Sequence, residues 1–150
     1  MIAVPRQSIN EVLELYNPEQ RFLQSMSIDD NLVMTGRFII GQNGTHQEAA
    51  QEDADICLSQ MVCASMYEKM RRGGNIGCLS DFHSVRKRSH LTISPRIFSK
   101  IPTGEIKAEM RLVYMRKQIG QVSYVCDFEF ECGVYQGRLT FDIIGLGAAR

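Results

Sequence analysis

The chain has 150 residues, and its seventeen basic and seventeen acidic side chains cancel. No whole-chain field favours nucleic acid or an anionic membrane as partner. The length fits a single domain, residues 1–150, that buries a core without disulfide or metal staples. Five cysteines make an odd number, with no C-x-x-C pair and no histidine at zinc-ligand spacing. They read as buried, reduced thiols of a cytoplasmic protein with no metal site. The opening MIAVPRQSIN has no apolar run of signal-peptide length, and no segment nears ~18 consecutive apolar residues. Asn43-Gly44-Thr45 matches a glycosylation sequon but reads here as a loop turn.

In chain order, Ser8-Ile9-Asn10-Glu11 has the form of a capping box and opens a short helix over residues 9–16. Ile9, Val12, Leu13 and Tyr16 share one face of it, and Asn17-Pro18 ends it. Residues 22–28 and 32–40 read as strands around an Asp29-Asp30-Asn31 turn. A loop at Gly41-Gln42-Asn43-Gly44 then leads to a long helix over residues 51–70. Glu52, Asp53 and Asp55 suit its positive N-terminus. Ile56, Cys57, Leu58, Met61, Val62, Cys63, Ala64 and Met66 make it apolar on nearly every side, so it must be wrapped. Arg71-Arg72 and Gly73-Gly74-Asn75 form a basic last turn and a stop.

Beyond the helix the pattern is almost all strand. Residues 82–94 read as one, weakened by Arg86-Lys87-Arg88, interrupted at Pro95 and resumed over 96–101. Residues 105–116 alternate strictly through Ile106, Ala108, Met110, Leu112 and Tyr114. Residues 120–132 send Tyr124, Cys126, Phe128, Phe130 and Cys132 one way, and Asp127, Glu129 and Glu131 the other. Residues 134–145 close the set, with Leu139, Phe141 and Ile143 facing in. Short connections predict an antiparallel meander for these last three. The layout is α+β: the hot-dog fold, an antiparallel sheet wrapped around a long central helix. Its open sheet edges lead us to expect a dimer whose sheets join.

Several motifs, in order along the chain, carry a family likeness. They are Val12-Leu13-Glu14-Leu15-Tyr16, Val33-x-x-x-Gly36-x-Phe38-x-Ile40-Gly41, Ile56-Cys57-Leu58-Ser59-Gln60, and Ser94-x-Arg96 with Lys100 and the strand 106–112. Together they resemble the FcoT-like thioesterase family. The resemblance implies a hot-dog protein that binds fatty acyl thioesters on coenzyme A or an acyl carrier protein. Its members include thioesterases and enzymes that add glycine to the β-carbon of an enoyl thioester. Tyr16 matches the family's tyrosine at the end of the first helix, and Gln60 a glutamine, with Ser59 replacing the asparagine before it. Thr45 falls near a tyrosine of the family pocket, and Thr45-His46-Gln47-Glu48 stands loosely for a Gly-His-Phe-Asn stretch. The resemblance implies conjugate addition of an amine or hydrolysis, with no cofactor beyond the phosphopantetheine that carries the substrate. A homodimer is expected, or a hetero-dimer with another hot-dog chain; a non-catalytic partner subunit is the reading from a different class.

The candidate chemistry gathers near the long helix. His46 is either a proton-moving imidazole or a solvated loop side chain. Thirteen residues separate it from Gln60, a spacing that resembles hot-dog dehydratases. Those carry an acid where Gln60 stands, and an amide orients water or a carbonyl but cannot act as a base. Among Glu48, Glu52, Asp53 and Asp55, one is a candidate base, with Asp53 put forward, while capping accounts for the others. Backbone N–H groups at the helix start are candidate donors to a thioester oxygen. Arg86, Lys87, Arg88, Arg96 and Lys100 are either a solvated face or a docking patch for the phosphates of the carrier. The methionines suit a core or an adaptable acyl tunnel.

Overall fold

The 22-residue helix α2, Gln51–Arg72, is the element the rest of the chain packs around. The computed structural model describes residues 1–41, 48–49 and 51–144; Thr45, His46, Gln47 and the expected loop residues 42–44 lie outside the described residues. Ahead of α2 come β1 (Ile2–Ala3), α1 (Arg6–Leu13), a 3-10 turn (Pro18–Gln20), β2 (Leu23–Ile28), β3 (Val33–Ile40) and the short β4 (Glu48–Ala49). After it come α3 (Leu79–Lys87), β5 (Ser89–Phe98), β6 (Ile101–Pro102), β7 (Gly104–Gln118), β8 (Gln121–Phe130), a 3-10 turn (Glu131–Gly133) and β9 (Tyr135–Ile144).

Seven strands form one sheet in the order β1-β2-β3-β7-β8-β9-β5, every neighbour antiparallel. β4 pairs with β6 apart from it. The meander expected of the last three strands is present as β7-β8-β9. Helix α2 lies against the inner face of the sheet, with Ala54, Cys57, Leu58, Met61 and Ala64 fully buried. It packs tightly over Gly36 of β3, where a Cβ would stand 3.0 Å from the Met61 sulfur. The helix stops as expected: Gly74 takes φ 73°, Asn75 N–H bonds Met70 C=O at 3.0 Å and Gly74 N–H bonds Arg71 C=O at 3.2 Å. That pair of bonds is a Schellman cap.

Several sequence expectations need correction. The capping box does not form: α1 starts at Arg6 after Pro5, which presets the entry φ. Ser8 is inside the helix, and its buried hydroxyl donates to Glu68 of α2 at 2.9 Å. Residues 82–87 are not strand but most of α3. Phe82 and Val85, three apart, are its buried face, and Arg86 and Lys87 suit the negative C-terminal turn. Pro95 does not break β5. It sits on an edge strand, where a missing N–H costs no ladder bond. A bulge follows, with Pro95 opposite Gly137 and Ile97 opposite Gln136, leaving Arg96 as the extra residue.

The alternation of β7 fails past Leu112, where a second bulge shifts the register, and Val113, Tyr114 and Met115 are all exposed. β8 ends at Phe130, because Glu131 takes φ 44° and turns the chain before Cys132. Of the described cysteines, Cys57, Cys63 and Cys126 are buried thiols, whereas Cys78 is exposed at the start of α3. No helix is long and apolar enough to cross a membrane.

Candidate active site

One stripe of α2 carries three polar groups. Asp55, Ser59 and Cys63 recur every four residues, about 6 Å apart along the helix. The Tyr16 and Ser59 hydroxyl oxygens are 2.6 Å apart, and the tyrosine also donates to the Cys63 sulfur at 3.5 Å. Arg86, from the last turn of α3, lays its guanidinium 4.7 Å from the Tyr16 ring centroid, a cation–π contact. Burial, with the Cys63 thiol beside it, pushes the Tyr16 phenol far above its ordinary range. It is therefore a neutral O–H at any physiological pH. Ser59, Cys63 and Arg86 border a groove of about 170 Å³, together with Ser89 and Leu91 of β5 and the apolar wall Val62 and Phe141.

One turn nearer the helix start, Asp55 accepts a 2.5 Å hydrogen bond from Tyr135. Tyr135 is fully buried, with Phe98, Phe128 and Phe130 around its ring. This apolar setting raises the Asp55 pKa through desolvation, against the opposing effect of the tyrosine bond. Asp55 thus leans toward its protonated form more than a solvated carboxylate does. It is the carboxyl on α2 for which such a rise is resolved, which marks it as an acid–base candidate.

The structure separates the other expected site residues. Asp53 is half-buried in the first turn of α2. Two residues turn a helix by about 200°, so Asp53 and Asp55 leave it on different sides. Gln60 is fully buried, and its amide is committed to the main chain. Its carbonyl oxygen accepts from Phe22 N–H at 3.1 Å and Leu23 N–H at 3.0 Å, and its NH₂ donates to Gln20 C=O at 2.5 Å. It fastens the entry of β2 to the central helix. Arg96, at the β5 bulge, borders a hollow on the outer face of the sheet with Arg111, Glu109 and Gln136. Lys100 is exposed between β5 and β6. Tyr16 and Ser59 are the expected pair that meets.

The sequence reading passed over Asp55 as a distinct acid, over Arg86 as a partner of Tyr16, and over Tyr135 and Ser89. The spacing Asp55–Ser59–Cys63 was a usable signal. Nothing marked that stripe as the one facing a groove, because the helix is apolar on nearly every side. The Cys57 thiol is pushed well up by burial and is a core group rather than a nucleophile.

No protein-family model matches the sequence, and no curated protein is similar to it in sequence. Solved structures do match. A mutant of thioesterase PA1618 from Pseudomonas aeruginosa superposes with a TM-score of 0.59 at 9% identity, over 95% of each chain. Cj0977, a sigma28-regulated virulence protein from Campylobacter jejuni, gives 0.54 at 9% identity, over 94% of this chain and 92% of its own. The putative thioesterase yhdA from Lactococcus lactis gives 0.50 at 9% identity, over 87% and 98%. The fold is the hot-dog fold. Its central helix is α2, and the Ser59–Cys63–Arg86 groove of this hot-dog chain lies between that helix and the edge strand β5.

Proposed function

We propose that this chain is an acyl-thioester enzyme that adds an amine, such as glycine, to the β-carbon of an enoyl thioester on coenzyme A or an acyl carrier protein. The observation that carries the reading is the stripe itself: a desolvated carboxyl, Asp55, one helical turn from the paired hydroxyls of Ser59 and Tyr16. In the reaction, ionised Asp55 takes a proton from the amine nitrogen as the N–Cβ bond forms. The alkene electron pair moves toward the thioester oxygen, giving an enolate. The Ser59 and Tyr16 hydroxyls donate to that oxygen, and a neutral phenol held in an apolar site is suited to this. The proton on Asp55 then passes to Cα, so amine and alkene become one C–N and one C–H bond. The Arg86 guanidinium beside Tyr16 offers a fork for the carboxylate of an amino-acid nucleophile.

Hydrolysis is the second reading. The thioesterase names of PA1618 and yhdA, which share the fold, favour it, and they also support a thioester as the substrate class. Asp55 would then deprotonate water rather than an amine. In either case Arg96 and Lys100 are docking groups for carrier phosphates, and the working unit is a dimer with itself or with another hot-dog chain. The test is intact-mass spectrometry of an enoyl-loaded carrier protein incubated with the enzyme, with and without glycine. A gain of one glycine, lost in Asp55→Asn, is the expected result. Release of the acyl chain would move the assignment to hydrolysis. No change over a range of chain lengths would overturn acyl-thioester catalysis altogether.

A further inference from the structure

The chain carries no net charge, but its charges are not spread evenly. Residues 110–126 span the turn from β7 to β8 and hold Arg111, Arg116 and Lys117 with no carboxylate. Arg116 and Lys117 are exposed, and neither makes an ion pair among the described residues. Arg88 stands at the same end of the sheet. Its carbonyl accepts from Ile144 N–H at 2.9 Å, and Ile144 lies opposite Gln121 of β8.

The same corner is apolar. Ile119-Gly120 close the β7–β8 hairpin, with Gln118 opposite Gln121 and Gly120 at φ 78°. Ile119 is left wholly exposed at the tip, a place that polar turn residues usually fill. Val113, Tyr114 and Met115 of β7 and Ile144 of β9 are about half exposed. With Ile119 they are most of the exposed large apolar side chains among the described residues. Scattered singly, such side chains carry no meaning; gathered at one corner, they mark a contact. Tyr114 lies opposite Val125 and Met115 opposite Tyr124, so the two leave opposite faces of the hairpin. Arg116 and Lys117 divide between the faces in the same way. A flat protein surface would cover one face only, whereas the interfacial layer of a bilayer takes in both.

We infer that this hairpin tip docks the chain on an anionic membrane surface, with Ile119 entering the acyl boundary and Arg116, Lys117 and Arg88 meeting lipid phosphates. Lys117 and Arg116 stand just behind Ile119, about 7–10 Å along the strand. Apolar groups at an interface sink roughly 5–10 Å, so the tip and the phosphates are engaged together. Each cation at such a surface raises the affinity about fivefold. Burial of Ile119 raises it about tenfold.

Co-flotation of the full chain with lipid vesicles tests this. Binding is expected to vesicles of phosphatidylcholine and phosphatidylglycerol in equal parts, and it should weaken with salt and on phosphatidylcholine alone. Ile119→Ser, at a fully exposed position, should bind about tenfold more weakly. Arg116→Gln combined with Lys117→Gln should lose about twentyfold to thirtyfold. Ile97→Ser, which removes an exposed apolar side chain from β5, should bind as wild type does. The chain has no tryptophan, so Ile119→Trp places a single reporter at the tip, and its emission should move to shorter wavelength on the anionic vesicles. Asp55→Asn should bind unaltered, which keeps the result independent of any thioester reaction. Wild type that ignores anionic vesicles, equal binding to neutral ones, full binding by Ile119→Ser or an unmoved Ile119→Trp emission would each overturn the assignment. Retention on polyglutamate but not on vesicles would overturn it in favour of an acidic protein partner.

Discussion

Asp55 and Gln60 lie five residues apart on α2 and do opposite work. Asp55 accepts a hydrogen bond from Tyr135, and its pKa is raised by desolvation. The sign of the consequence follows from that direction. A carboxyl whose folded pKa lies above its unfolded value favours folding most when both states are protonated. That advantage is lost as pH rises from the ordinary carboxylate value through the raised one. Asp55→Asn, which still accepts from Tyr135, should therefore be more stable than wild type at neutral pH. The gain should vanish below the ordinary carboxylate range, as read by urea unfolding at a series of pH values. Turnover of wild type should fall as acid protonates Asp55, at a pH above the ordinary carboxylate value. Gln60 makes the contrasting case. Gln60→Leu would leave two buried N–H groups and a carbonyl of residues 20–23 unpaired. It should cost about 2–4 kcal/mol in urea unfolding, and any loss of activity should track the loss of folded protein.

At the scale of elements, the bulge in β5 decides where its side chains point. It exists because Gly137 lets the neighbouring strand come close. A Cβ at that position would lie 2.4 Å from the Ser94 carbonyl oxygen and 2.8 Å from Pro95 Cα. These are backbone atoms and cannot turn aside. Gly137→Ala should cost about 1–3 kcal/mol. The cost should appear first as faster amide exchange over residues 94–98, while β7 and β8 stay protected. α3 makes a related point. The sequence reads residues 82–94 as one strand, weakened by Arg86-Lys87-Arg88. The structure divides them between a helix and a strand, with Arg88 as the joint. Only the helical form brings Arg86 over Tyr16.

For the whole molecule, the sheet has two edges. β1 is two residues long, which blunts it. β5 is ten residues long, and its Pro95 and bulge protect only the later half. The stretch 89–94 keeps unpaired main-chain groups, and Leu91 and Ile93, which point inward, stay half-exposed beside it. Light scattering should accordingly give twice the 17.0 kDa chain mass. Thr92→Pro should shift the population toward monomer. A wild-type monomer at micromolar concentration would remove the edge as an interface.

The sequence by itself determined the central helix with its glycine stop, the antiparallel meander and, through these, the hot-dog fold. Those are matters of local period and punctuation: alternation for strands, an uninterrupted apolar run for the helix, glycine and proline at the ends. It also picked out Tyr16 and Ser59, which meet. Only the tertiary structure decided which stripe of an almost wholly apolar helix faces the groove. It also brought Asp55 against Tyr135 and turned Gln60 inward to the main chain. A pattern along one chain records which residues avoid water. A carboxyl's pKa and an amide's partners depend on what other elements bring beside them, and here those neighbours come from α1, α3, β2 and β9.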